Sequence, residues 1–139
     1  MLEQVTVFLE NEKGRLSALT RVLANAGVNM YALTIAETSD YGLVRIVCDK
    51  PAEAVDALRA ADLRALVTKV LAVAVPNRPG GLADLLDAFE ELDLNIEYGY
   101  CFSVHGDEAV DVLKVSDADK ASVALASKGY RLVDTADLA

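Results

Sequence analysis

The sequence predicts an α+β fold of two tandem βαββαβ units, residues 1–69 and 70–139, each an antiparallel four-stranded sheet with two helices on one face. Three observations carry this expectation. The chain repeats itself: slid by 66 residues, Asn11, Gly14, Leu16, Leu19 and Asn29 fall on the identical Asn77, Gly80, Leu82, Leu85 and Asn95. Within each half, runs with the period of two expected of strands alternate with runs of helical period. No Gly-, Ser- or Pro-rich linker parts the halves, so Thr68-Lys69-Val70 passes from one apolar run straight into the next. An internal repeat constrains the fold more tightly than any single element does.

In the first half, residues 4–9 alternate and place Val5, Val7 and Leu9 on one face of a strand. A helix follows, with a stripe of Leu16, Leu19, Val22, Leu23 and Ala26, and Gly27 supplies its stop. Residues 28–37 and 41–48 are rich in β-formers and join through Thr38-Ser39-Asp40, a hairpin signal. Pro51 sits in the first turn of the next helix, where its missing N–H costs nothing, and Val55, Leu58 and Ala61 face inward. Residues 65–69 close the sheet.

The second half repeats the order with residues 70–75 as the first strand and Leu82, Leu85, Leu86, Phe89 and Leu92 as the helix stripe. Over residues 94–104 the even positions are apolar or aromatic. That gives a strand one buried face and leaves Asn95, Glu97, Gly99, Cys101 and Ser103 on the other. His105-Gly106-Asp107 turns into residues 108–115, Asp117 caps a helix that Gly129 ends, and residues 130–133 close the sheet. This βαββαβ order is the split-βαβ, ferredoxin-like plan. From the hairpin onward the two copies align with one more residue of offset, which the turn absorbs.

Composition excludes several function classes. A 53% hydrophobic and 25% charged chain is globular rather than disordered. Residues 1–69 hold nine acids and eight bases, whereas residues 70–139 hold thirteen acids and five bases. That second half repels phosphate backbones, so nucleic acid is not an expected partner. The longest stretch without a charged residue, 22–36, is too short for a bilayer, and the N-terminus carries no secretory pattern. A cytoplasmic protein without a membrane partner is the expectation. Cys48, Cys101 and the single His105 lack metal-ligand spacing, so neither metal nor cofactor is expected, and the thiols read as reduced.

The informative stretch is Val75-Pro76-Asn77-Arg78-Pro79-Gly80-Gly81-Leu82, between a strand and a helix. A helix N-terminus leaves N–H groups unpartnered and carries partial positive charge, and glycines let a ligand approach the backbone. An anion such as a carboxylate suits that place. A phosphate cradle would need a Gly-x-Gly-x-x-Gly run or a Lys-Ser/Thr pair, and neither is present. Asn and Gly are also ordinary turn residues, so a plain turn stands beside the binding reading. The match with residues 10–16 and the pair Asn29/Asn95 weigh toward binding. Arg78 has two readings as well, a partner for a ligand carboxylate or an exposed loop residue.

The pattern strand-N-R-P-G-x-L-helix, followed by L-N-I on a strand, resembles the ACT domain, a small-molecule-binding module of amino-acid metabolism. Two tandem copies cover the chain, and LNIEYGYCF is similar to a group of small stand-alone tandem ACT proteins. The first copy departs at Glu12-Lys13, where the family pattern has Arg-Pro. The resemblance implies amino-acid binding at interfaces between ACT units, through Asn77, Gly80, Gly81, Leu82, Asn95 and Ile96. In the first copy it implies Asn11, Gly14, Arg15, Leu16, Asn29 and Met30. Serine-sensing members can carry a polar residue or His two positions before the loop Asn; Val75 and Leu9 stand there and favour an apolar ligand side chain. A ligand this small implies a Kd of about micromolar to millimolar.

The expected function is therefore non-enzymatic: binding of a free amino acid by a regulatory protein, expected as a homodimer. The alternative is a dedicated regulatory subunit that docks on an amino-acid biosynthetic enzyme, as the small subunit of acetolactate synthase does. No acid, base and nucleophile set supports an enzyme. Tyr98, Tyr100 and Phe102 read as packing or, less simply, as a ligand wall. Asp84, Asp87, Glu90, Glu91 and Asp93 read as a solvated face or a docking surface for a basic partner.

Overall fold

The computed structural model describes residues 1–37 and 40–138; Thr38 and Ser39 of the expected hairpin lie outside the described residues. The elements are β1 (Leu2–Glu10), α1 (Arg15–Asn25), β2 (Met30–Glu37), β3 (Tyr41–Cys48), α2 (Pro51–Ala60), β4 (Arg64–Pro76), α3 (Gly81–Glu91), β5 (Ile96–His105), β6 (Glu108–Val115) and α4 (Ala118–Ser127). A 3₁₀ turn, Thr135–Leu138, follows. Two compact units emerge, one of Glu3–Thr68 with Leu138 and one of Lys69–Asp137 with Met1 and Leu2. The expected closing strand of the first copy and opening strand of the second are one 13-residue strand, β4.

In the first unit the strand order is β2-β3-β1-β4, with Val5 opposite Ile46 and Glu10 opposite Tyr41. Val5, Val7, Leu9, Val44, Ile46 and Cys48 meet Leu19 and Leu23 of α1 and Ala54, Val55 and Leu58 of α2 in one core. Apolar side chains on one face of the strands and one stripe of each helix leave this packing as the way to exclude water.

The second unit runs β4-β6-β5, with Leu71 opposite Leu113 and Pro76 opposite Glu108. Its core joins Val73, Val75, Leu113 and Val115 to Leu85, Ala88 and Phe89 of α3 and to Ala121 and Leu125 of α4. The closing segment pairs through a single bridge, Leu132 to Val73, flanked by Ala74 N–H to Arg131 O at 2.9 Å and Val133 N–H to Ala72 O at 2.8 Å. Both helix stripes begin one turn later than their sequences suggest. Leu16 and Leu82, at matching positions, are 36% and 45% exposed.

The repeat extends to backbone detail. Gly14 and Gly80 share one left-handed conformation, φ 88 ψ −11 and φ 87 ψ −9. All four helices end alike. The residue after the C-cap takes positive φ (Gly27, Asp62, Asp93, Gly129), and the next N–H reaches back to a carbonyl of the last turn. A bulge recurs too, between Met30 and Ala32 in β2 and between Ile96 and Tyr98 in β5. In β5 it turns the alternation over: Ile96 pairs with the core residue Val115, whereas Tyr98 and Tyr100 pair with Lys114 and Val112 on the other face. The even positions of residues 94–104 therefore do not share one face.

Candidate functional site

The two strand-to-helix connectors are built alike. Asn11 N–H donates to Asp40 O at 3.3 Å, and Asn77 N–H donates to Asp107 O at 2.7 Å, so each connector is pinned to the neighbouring hairpin. Ala18 N–H reaches Gly14 O at 3.0 Å and Asp84 N–H reaches Gly80 O at 2.9 Å, the first rungs of α1 and α3. Ahead of those rungs, the N–H groups of Leu16 and Ser17 and of Leu82 and Ala83 have no partner among the described residues. No side chain caps either helix, whereas Asp117 caps α4 by accepting from Lys120 N–H at 3.1 Å. Each connector thus presents two donors at the positive end of a helix dipole, beside an exposed leucine.

The adjacent glycines of the second connector do different work. Gly80 supplies the left-handed residue. A Cβ on Gly81 would lie 2.2 Å from Pro76 O, so Gly81 is there for close approach. Its N–H is also not bare, because it donates to Arg78 O at 3.0 Å; the open donors belong to Leu82 and Ala83. Asn77 Nδ2 donates to Gly106 O at 3.0 Å, and its Oδ1 has no partner among the described residues and keeps its acceptor capacity. Arg78 pairs with Asp84 at 3.5 Å and is mostly exposed. Arg15 pairs with Glu10 at 3.2 Å and Glu12 at 3.6 Å.

Asn29 and Asn95 lie elsewhere. Each precedes β2 or β5 and accepts a backbone bond, Asn29 O from Asp49 N–H at 3.1 Å and Asn95 O from Ser116 N–H at 3.2 Å. Asp49 Oδ1 also accepts from Asn29 N–H at 2.9 Å. Pro76 and His105 pair with Glu108 at one end of β6, and Ile96 pairs with Val115 at the other. Eight strand residues therefore separate Asn77 from Asn95, about 25 Å at the usual rise. Met30 and Ile96 share the far end with them. One unit does not bring both asparagines to a single small ligand.

Among the described residues no group of three or more His, Cys, Asp or Glu side chains could hold a metal, and His105 is exposed at a hairpin end. Burial pushes the Cys48 thiol up from its ordinary pKa. Cys101, though exposed, is raised by desolvation and then by the Asp111 charge, and Asp111 is itself raised by desolvation. The Lys128 ammonium at 2.8 Å holds Glu91 below its usual range. The remaining acids of the α3 face are exposed. No helix of the described residues is long and apolar enough to cross a membrane.

A cleft of about 810 Å³ in the first unit is lined by Phe8, Leu9, Glu10, Arg15, Tyr41 and residues 61–64. Sequence motifs point to Arg15 in it and miss the rest, because Asp62 sits in a connector without a signature and Arg64 is the first residue of β4. The available signal is the pairing of Arg64 with Arg131 at an offset of 67.

Residues 1–139 match the family model described as an ACT domain pair. The chain is similar to protein BT0572 from Bacteroides thetaiotaomicron, whose crystal structure superposes with a TM-score of 0.93 at 36% identity over 99% of this chain and 94% of that chain. The ligand-free regulatory subunit of aspartate kinase from Thermus thermophilus shares the fold, with TM-score 0.66 and 16% identity over 90% and 91% of the two chains. The regulatory subunit of aspartate kinase from Thermus flavus does so with TM-score 0.62 and 16% identity over 90% of each chain. No curated protein matches the chain.

Proposed function

This chain belongs to the ACT domain pair family, and from that premise we propose that it is a non-enzymatic regulatory protein of the cytoplasm that binds a free amino acid at its two repeated helix starts. The observation that carries the reading is the duplicated connector. Gly14 and Gly80 hold one left-handed conformation, and the helix starts behind them are uncapped beside exposed Leu16 and Leu82. The ligand carboxylate sits on the N–H groups of Leu82 and Ala83, or of Leu16 and Ser17. Its ammonium meets Asn77 Oδ1 or the matching Asn11, and its apolar side chain lies on the leucine. Gly80 and Gly81 shape the mouth rather than bind.

Because Asn77 and Asn95 lie at opposite ends of one unit, a ligand that touches both kinds of Asn needs the loop of one ACT unit and the strand start of another. Asn95 and Ile96, or Asn29 and Met30, then come from a second unit, and a homodimer supplies one. Bound ligand favours the packing that closes the pocket, by no more than its differential affinity. A second reading is a subunit that docks on and controls an amino-acid biosynthetic enzyme, favoured by the exposed acidic face of α3. The similar Thermus thermophilus structure is by name the regulatory subunit of aspartate kinase.

A thermal-shift screen of the twenty amino acids tests the binding claim, since occupancy well above Kd stabilises by about 2.7 kcal/mol at a hundredfold excess. The expected result is stabilisation by an apolar amino acid, reduced by Asn77→Ala and separately by Asn95→Ala. No shift with any of them at millimolar concentration sinks the reading. Stoichiometric co-purification of a biosynthetic enzyme would promote the second.

A further inference from the structure

The two copies share a second matching place, and they use it differently. It is the corner where the second helix of each unit turns into the closing segment, beside the end of the first strand and the start of the third. In the first unit this corner is the cleft of about 810 Å³. In the second it is a smaller cleft of about 370 Å³, lined by Ala74, Val75, Pro76, Asp107, Glu108 and residues 128–131. The strand registers fix the correspondence. Glu10 lies opposite Tyr41 as Pro76 lies opposite Glu108, so Glu108 stands where the first copy has Tyr41. Counting on by the same offset, Arg131 stands for Arg64 and Gly129 for Asp62; Ala74 stands for Phe8 at the strand end.

In the second unit the corner is internally satisfied: Arg131 is ion-paired to Glu108. In the first, Tyr41 replaces that carboxylate, and the Arg64 guanidinium has no ion pair or hydrogen bond among the described residues. Its guanidinium is instead held over the Phe8 ring, 5.1 Å from the centroid. The stacked pair forms the ridge between the cleft and a smaller hollow of about 360 Å³. The cleft's other cation, Arg15, is already paired with Glu10 and Glu12. Stacking orients a planar guanidinium and leaves its edge donors free for a carboxylate, which is how such a group binds bidentately.

We propose that this corner of the first unit is a second ligand site, distinct from the helix starts, that takes a small organic carboxylate. The ligand carboxylate occupies, beside Arg64, the place that the Glu108 carboxylate takes beside Arg131. Phe8, Leu9 and Leu63 give the walls against which an apolar or aromatic body lies. Asp62, on the left-handed turn with φ 63 and without an ion pair, adds a counter-charge for an ammonium if the ligand carries one. The second unit, with its arginine neutralised and its aromatic platform reduced to Ala74, has no such site.

The test is titration of the full ¹⁵N-labelled chain with 3-phenylpropionate, L-phenylalanine and 2-phenylethylamine, followed by amide chemical shifts. The two carboxylates are expected to move the amides of Phe8, Leu9, Tyr41 and residues 61–64, saturating at about millimolar Kd. The amine, which shares the ring but has no carboxylate, is expected to leave them in place. Tighter binding of L-phenylalanine, lost in Asp62→Asn, identifies an amino acid as the ligand class; equal binding identifies a simple carboxylate. Arg64→Ala is expected to weaken binding at least tenfold, Arg64→Lys less, and Arg131→Ala not at all. Absence of these shifts, shifts that survive Arg64→Ala, or equal shifts with the amine overturn the proposal. Responses at residues 16, 17 or 80–83 without responses at residues 61–64 belong to the helix-start site, so the two claims fail independently.

Discussion

Gly81 and Pro76 are in such close register that a Cβ on Gly81 would fall 2.2 Å from the Pro76 carbonyl oxygen. The contact sets where α3 starts, and therefore where the N–H groups of Leu82 and Ala83 point. Gly80, one residue earlier, has open space around its Cβ position apart from Arg78, but φ 87. The pair separates two reasons for glycine. Gly80→Ala is expected to cost about 1–2 kcal/mol from the left-handed backbone alone. Gly81→Ala is expected to cost more, because backbone meets backbone and the connector must move. Urea denaturation of the two variants ranks them; a smaller loss at Gly81 than at Gly80 would contradict the geometry.

The helix stops allow a substitution expected to stabilise. Asp93 holds φ 55 at the position where Gly27 holds φ 72 in the first copy. An L-residue strains there, and an anion at a helix C-terminus opposes the dipole. Asp93→Gly is expected to raise stability by about 0.5–1 kcal/mol after the entropy of the freer unfolded glycine is subtracted. The reciprocal Gly27→Asp lowers it. Urea midpoints at unchanged m-value measure both.

How much of this was legible in the residues alone differs by feature. The repeat was, because Asn, Gly and Leu recur in one spacing and the structure reproduces their backbone angles. The fate of residues 94–104 was not: a one-residue bulge leaves the apolar alternation intact in the sequence while exchanging the faces. The closing segment 130–133 has strand-like residues, yet it keeps only the Val73–Leu132 bridge. Asn77 and Asn95 look like neighbours in the chain, but α3 runs the length of the sheet between them. Asp62 and Arg64 gave no signal alone, since an arginine at the start of a strand is ordinary until its counterpart is seen paired to Glu108.

Asn77 has a structural duty besides any ligand. Its Nδ2 holds Gly106 O at 3.0 Å and so ties the connector to the β5–β6 turn. Asn77→Ala is expected to cost about 1 kcal/mol and to speed hydrogen exchange at Asn77 and Glu108. Exchange unchanged at those amides would mean that the backbone bond from Asn77 N–H to Asp107 O, at 2.7 Å, holds the turn alone.

Asp111 and Cys101 face each other across β6 and β5 and raise a prediction in pH. Desolvation lifts the Asp111 pKa above its unfolded value, so folding binds its proton more tightly than the unfolded chain does. Below the unfolded carboxylate pKa both states are protonated and the group costs nothing; the penalty grows as pH rises from the unfolded pKa towards the folded one and is full above it. Asp111→Asn is therefore expected to stabilise at pH 7 and to lose that advantage below the ordinary carboxylate range. The same change removes a charge that holds the Cys101 thiol up, after the larger effect of desolvation. More thiolate then forms, and the rate of Cys101 with a disulfide reagent at pH 8 rises. Cys48, buried in the first core, stays unreactive until the chain unfolds. A Cys101 rate unaffected by Asp111→Asn would show that desolvation alone sets this thiol.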